Sequence, residues 1–152
     1  MPAKNQMKNR IKAVENAMKL HAWPEEGPSP SERDMAIFNK LQDQRAFEAW
    51  PPSDLYALAN LAVLQADFNE QQEALREEGH IVLGGKNGDT QIENPRNRVC
   101  ATLLSAINMT SRRLGIAAST IPDRKTQGVA AQTERNIKAK LKDEQKSKHQ
   151  LI

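Results

Sequence analysis

Residues 52–79, PSDLYALANLAVLQADFNEQQEALREEG, decide the fold because their apolar spacing predicts one long helix. Ser53 is the predicted N-cap, and Asp54 lies in the first turn, where the helix dipole favours a carboxylate. Gly79 is the natural residue to end the helix. One broad side is lined by Leu55, Leu58, Leu61, Leu64, Phe68 and Leu75. This side is wider than a one-sided stripe needs, so the pattern favours subunit contacts, with a compact helical monomer as the alternative.

Two further helices are predicted before the long one. The first spans about residues 4–20, because apolar residues recur there at i, i+4, i+7 and i+11. Its stripe consists of Met7, Ile11, Val14 and Met18. Three prolines and a glycine between His21 and Ser31 indicate a loop. Ser31 can cap the second helix, which is predicted to reach about Phe47 before Trp50-Pro51-Pro52 breaks it.

A small β-hairpin and a fourth helix are predicted after the long helix. Residues 81–83 and 90–92 flank a glycine-rich turn. An isolated hairpin is marginal in water, so it must lean on helices or on a neighbouring subunit. Asn94-Pro95 predicts a helix start, with the helix reaching about Arg113 and Gly115 ending it. The predicted buried stripe is Val99, Leu103, Ala106, Ile107 and Leu114. The fold class is therefore mainly α with one small hairpin.

Charge is distributed unevenly along the chain. Residues 1–22 contain five basic residues and one acidic residue, and residues 124–152 contain eight and three. The stretch between them contains nine basic and fifteen acidic residues. Two basic ends flanking an acidic central region suggest that the ends bind a polyanion. Solvated tails with no ligand are the plainer alternative. The polar, lysine-rich end from residue 122 onward predicts disorder or a marginal helix.

No motif for chemistry emerges from the sequence. The run Gly84–Asn87 lacks the glycine spacing and the hydroxyl of a phosphate-binding loop. His21, His80 and His149 are far apart, and no His or Cys pair has metal-ligand spacing. Cys100, the one cysteine, is predicted to be a small buried hydrophobe, and its lack of a disulfide partner fits a reducing cytoplasm. No apolar run approaches the roughly 18 residues of a membrane span. We therefore expect no enzyme, no metal, no cofactor and no membrane contact.

Cations on the first two predicted helices point to a nucleic-acid interface. Lys4, Lys8 and Lys12 repeat every four residues and so line one helix face. Two cationic helices joined by a turn would present a helix-turn-helix-like unit to DNA, although the proline-rich connection is longer than a standard turn. An ordinary polar helix face is the plainer alternative. The predicted DNA-binding residues are Lys4, Lys8, Arg10, Lys12, Lys19, Arg33, Lys40 and Arg45.

The order of these landmarks carries a family resemblance. A short helix with Phe38 and Leu41 comes first, and Pro52-Ser53-Asp54 then begins the long helix, which ends with Leu75–Gly79. Asn94-Pro95 follows the hairpin, and Leu114-Gly115-Ile116 closes the last helix. In order and spacing, residues 31–121 resemble the small subunit of tailed-phage terminases. The chain departs from that pattern after Ile116. There the family often continues with Thr-Pro, and this chain has an apparent insertion before Pro122.

The resemblance implies a homo-oligomeric ring, recognition of the DNA packaging start site, and docking with a large ATPase–nuclease subunit. It implies no catalytic residues in this chain. The corresponding division is a basic helical DNA-binding region over residues 1–50, an oligomerisation core over 51–121, and a basic flexible tail over 122–152. The expected partners are double-stranded viral DNA, the large terminase subunit and further copies of the chain, in the host cytoplasm.

Three other functions stay open at this point. A helix-turn-helix transcription regulator would bind a palindromic site as a dimer, whereas a terminase small subunit needs a larger closed ring. A basic adaptor would bind an acidic protein surface and show little salt-dependent affinity for DNA. An enzyme is the weakest alternative, since no motif for chemistry is present.

Overall fold

The computed structural model describes the backbone of residues 2–116 and 124–149, and the side chains of residues 6–116 and 131–143. The elements are α1 (Pro2–Ala17), α2 (Glu32–Gln42), a 3₁₀ turn (Phe47–Ala49), α3 (Pro52–Glu78), β1 (Ile81–Gly84), β2 (Thr90–Glu93), α4 (Arg96–Arg113) and α5 (Arg124–His149). This order confirms the mainly α class with one two-stranded antiparallel hairpin. The end of the Leu-Gly-Ile landmark, from residue 117 to 123, lies outside the described residues.

Helix α2 begins at the predicted cap and ends earlier than predicted. Ser31 Oγ accepts the backbone N–H of Asp34 at 3.2 Å, and the Asp34 carboxylate accepts that of Ser31 at 2.8 Å, which forms a complete capping box. The helix stops at Gln42 rather than near Phe47. The Trp50 indole N–H donates to the Gln42 carbonyl at 3.1 Å, so a side chain from the next segment satisfies a carbonyl at the helix end.

The long helix α3 has the predicted end but a different start. It begins at Pro52, with Pro51 as N-cap and no side-chain cap, so the prediction of Ser53 as N-cap was wrong. A proline at the first helical position loses nothing, because that position has no intrahelical N–H partner in any case. At the other end Gly79 adopts φ +84°, and its N–H donates to Leu75 O at 2.9 Å, as expected for a glycine stop.

The hairpin matches the sequence prediction, whereas α4 begins at Arg96 with Pro95 as N-cap, one residue later than predicted. Strand β1 pairs with β2 from Ile81 opposite Glu93 to Gly84 opposite Thr90. Asn94 Oδ1 accepts the N–H of Arg96 at 3.0 Å, and Pro95 between them already has helical angles. The asparagine amide also donates to Glu78 and to the Gly79 carbonyl, so one buried side chain joins the end of α3 to the start of α4.

The core lies where α2 and α4 pack against α3. It contains Phe38, Trp50, Leu58, Ala59, Leu61, Ala62, Ile107 and Leu114, all buried. Leu55, Leu64 and Phe68 pack around it, so the broad apolar side predicted for α3 is confirmed. Cys100 is buried with a free thiol, also as predicted.

The predicted stripe on α4 is buried at Ile107 and Leu114 and half-buried at Leu103 and Ala106, whereas the apolar stripe near the N-terminus is exposed in the single chain. Met7, Ile11 and Val14 on α1 and Met18 directly after it are 49–68% exposed, and Val99 is the exposed member of the α4 stripe, at 44%. Helix α1 instead buries Asn16 and Ala17, near its C-terminal end. Periodicity shows that a face is apolar but not whether the same chain supplies an element to cover it.

Residues Arg124–His149 form a helix that packs against α1, so this stretch is helical rather than disordered. Among its described side chains, two make polar contacts with the residue at the end of α2. Arg135 Nε donates to Asp43 O at 2.7 Å, and Lys138 Nζ lies 2.9 Å from Asp43 Oδ1. Cations at a helix C-terminus are favoured by the helix dipole, so α5 stabilises the end of α2 while α2 holds α5 in place.

Candidate nucleic-acid interface

Helix α1 presents its described cations to solvent. Lys8 and Arg10 are exposed and form no ion pair within the described side chains. Lys12 is exposed and pairs with Glu48 at 2.8 Å. Lys19, just after the helix, donates to Asn16 Oδ1 at 3.4 Å. The side chain of the remaining predicted residue, Lys4, lies outside the described ones.

Helix α2 contributes two of the predicted cations. Arg33 lies in its first turn and Lys40 in its last, and both are exposed. They are seven residues apart, close to two full turns, and therefore lie on the same side of the helix. Their side chains are available to a phosphate backbone without breaking any described contact.

The last predicted cation, Arg45, is engaged inside the protein. Its Nη1 donates to Asp54 Oδ2 at 2.6 Å and to Ala49 O at 3.3 Å, and its Nη2 donates to Leu114 O. The guanidinium also lies over the Trp50 ring, 4.6 Å from the ring centroid. With 15% of its side chain exposed, Arg45 joins α2, α3 and the end of α4 rather than facing a ligand.

Helices α1 and α2 have different main packing partners. Most contacts of α1 are with α5, and most contacts of α2 are with α3. The residues from His21 to Ser31 connect them as a loop. The cations predicted from the sequence therefore lie on two helices with different main packing partners, and the helix-turn-helix-like unit stays a prediction.

Helix α5 brings cations that the site prediction did not include. Arg135 and Lys138 contact Asp43, while Lys140 and Lys142 are exposed. The high number of basic residues in the C-terminal segment was the one sequence feature that indicated these additional cations. The number of basic residues did not indicate that this segment packs against α1, because composition carries no information on contacts between distant parts of the chain.

Acidic side chains lie among these cations, and their surroundings shift their pKa values. A hydrogen bond from Lys12 holds the pKa of Glu48 below its usual value. Burial raises the pKa of Glu134, partly opposed by the Phe47 N–H that donates to it at 3.2 Å, with Glu48 and Asp43 nearby adding to the rise. Carboxylates therefore already lie beside the cations of α1 and α5. A polyanion would have to compete with these carboxylates for the cations.

Other kinds of site find no support in the described part of the chain. No group of three or more His, Cys, Asp or Glu side chains there is arranged to hold a metal ion. None of the described helices is both long enough and apolar enough to cross a membrane. The features that stand out are exposed cations and exposed apolar side chains.

The fold and this surface define a small, mainly helical protein with exposed cations on its first two helices. The family model of the Hendrixvirinae small terminases matches residues 4–151, almost the whole chain. The chain therefore belongs to the Hendrixvirinae small terminase family, and it is a small subunit that serves phage DNA packaging. Comparison with curated proteins and with solved structures gives no match.

Proposed function

We propose that this chain recognises the packaging start site on double-stranded viral DNA and regulates the large ATPase–nuclease terminase subunit in the host cytoplasm. The observation that carries the DNA part is the set of exposed cations on α1 and α2, Lys8, Arg10, Arg33 and Lys40. Family membership supports the role in packaging. The chain itself would supply no catalytic residue, and the large subunit would perform the chemistry.

The same proposal includes assembly into a homo-oligomeric ring. The hairpin supports it, because Ile81 is 57% exposed and Leu83 is 69% exposed, and neither strand has a helix as a main packing partner. A two-stranded hairpin is marginal in water by itself. Val99 on α4 and the stripe on α1 add further exposed apolar surface. Neighbouring subunits would bury these side chains and stabilise the hairpin.

The direct test replaces Lys4, Lys8, Arg10 and Lys12 with alanine in the full chain. DNA affinity is then measured against salt concentration by fluorescence anisotropy. We expect weaker binding and a slope of log K against log salt that is flatter by up to about 3.6, or about 0.9 for each phosphate that is no longer neutralised. The core should keep its helical circular dichroism, because the described side chains among the four are exposed.

A matched control replaces four other exposed cations, Arg76, Lys86, Arg98 and Arg113, with alanine. It removes the same formal charge but leaves α1 and α2 intact, so it separates a local contact from a change in net charge. If the slope of the first variant equals that of the wild type, α1 lies outside the DNA interface. If both variants flatten the slope equally, binding depends on net charge alone.

A further inference from the structure

The two basic ends of the chain meet around one short segment, residues 43–48, between α2 and α3. From the N-terminal side, Lys12 pairs with Glu48 at 2.8 Å, and Lys19 Nζ lies 6.0 Å from the centroid of the Phe47 ring. From the C-terminal side, Arg135 and Lys138 contact Asp43. More than a hundred residues separate these pairs of cations in sequence, and the fold brings them together.

The contact between the ends is a packed one rather than a pair of isolated ion pairs. Ala17 of α1 and Ala131 of α5 are both buried, 5% and 2% exposed, and both line one small cleft at the end of α2. His21 lies in the same cleft, stacked on Phe47 with 4.0 Å between ring centroids. Helices α1 and α5 thus pack against each other beside residues 43–48.

The direction of α5 places one more cation beside this junction. Residues one turn apart lie on the same side of a helix, so Lys142 follows Lys138 on the side that contacts the end of α2. Lys140, two residues after Lys138, lies on the opposite side. Both Lys140 and Lys142 are exposed and form no ion pair within the described side chains.

We propose that α1 and α5 form one composite surface for the phosphate backbone of duplex DNA, with Lys142 as the phosphate contact that α5 adds to those of α1. The proposal rests on the proposed function, since it adds a second element to the same DNA interface. The C-terminal helix contributes affinity and orientation rather than sequence choice, because lysines that contact phosphates do not read bases. Asp43 and Glu48 keep the cations of the two helices at the junction while DNA is absent.

The test compares Lys142→Ala and Lys140→Ala in the full chain, using a short fluorescent duplex of arbitrary sequence. The two variants remove the same charge from the same helix, so each is the control for the other. We expect Lys142→Ala to flatten the salt slope by about 0.9, the value for one phosphate contact, and Lys140→Ala to leave it unchanged. Both side chains are exposed, so helical circular dichroism should stay that of the wild type.

A third variant, Lys8→Ala with Arg10→Ala, separates this proposal from the proposed function. If it weakens binding while both α5 variants match the wild type, α5 lies outside the DNA interface and serves another partner, such as an acidic protein surface. The proposed function would then stand without the composite surface. If Lys140→Ala alone flattens the slope, the assigned side of α5 is wrong and the proposal fails. If no variant changes the slope, DNA binding through α1 fails as well.

Discussion

At the scale of single residues, Arg33 and Arg45 show how one residue type serves two purposes within a short stretch of chain. Both are cations, and the sequence predicts both as DNA contacts. Arg33 is exposed on α2, whereas Arg45 holds Asp54 and the Leu114 carbonyl and lies over Trp50. The difference comes from tertiary contacts with residues 9 and 69 positions away, which no local pattern encodes.

Replacing Arg45 with alanine should therefore destabilise the fold rather than weaken DNA binding. It leaves Asp54 and the Leu114 carbonyl without their charged donor, and hydrogen bonds of that kind contribute about 1.5–3 kcal/mol each before solvent screening. We expect the free energy of unfolding, measured by urea denaturation, to fall by about 2–3 kcal/mol. Arg33→Ala is the matched control, with a change within about 0.5 kcal/mol. A stable Arg45→Ala protein with a flatter salt slope would contradict this assignment.

Caps and stops are the residues that local chemistry predicts well. Ser31 begins α2 with a complete capping box, and Gly79 and Gly115 end their helices with positive φ angles. The wrong prediction of Ser53 as N-cap also has a local cause. Pro52 takes the first helical position, so α3 starts earlier in the chain than predicted. What could not be predicted is which charged side chains fold back onto the protein, as Lys138 does onto Asp43.

At the scale of elements, periodicity predicted the helices and the hairpin but not what covers them. The apolar side of α3 is buried because α2 and α4 pack on it. The stripe on α1 has the same periodicity and stays exposed, because α5 packs on the neighbouring side, where Asn16 and Ala17 lie. The packing of α5 against α1 is the contact between elements that was least expected from the sequence. A lysine-rich helix with few apolar residues gains its stability from contacts rather than from propensity.

The hairpin offers an element-scale prediction, because Leu83 is exposed in the single chain and Leu61 is not. Replacing Leu83 with aspartate should lower the mass of the assembly in light scattering while circular dichroism stays that of the wild type. The same change at Leu61 buries a charge in the core. Its cost, more than about 4 kcal/mol, should unfold the helices themselves. An unchanged mass for Leu83→Asp would place the hairpin outside the subunit interface.

At the scale of the whole molecule, cations and exposed apolar side chains lie together on α1, and further exposed apolar side chains lie away from the two basic ends. The basic residues concentrate at the two ends, which meet at the end of α2, while the hairpin and the outer side of α4 leave apolar side chains uncovered. Deletion of residues 124–152 should lower DNA affinity without removing the side chains proposed to join subunits. It removes α5 and its cations but leaves the α2–α3–α4 core and the hairpin, so assembly should survive while DNA affinity falls.

Light scattering at physiological salt tests this, on the full chain and on the chain without residues 124–152. We expect both to form a discrete assembly many times the 17.0 kDa of one chain, because the side chains proposed to join subunits lie outside the deleted segment. A dimer of the full chain would favour a transcription regulator on a palindromic site, and a monomer would remove the ring from the proposal. Dissociation only after the deletion would mean that α5 joins subunits. Its lysines would then hold a neighbouring chain as well as the end of α2.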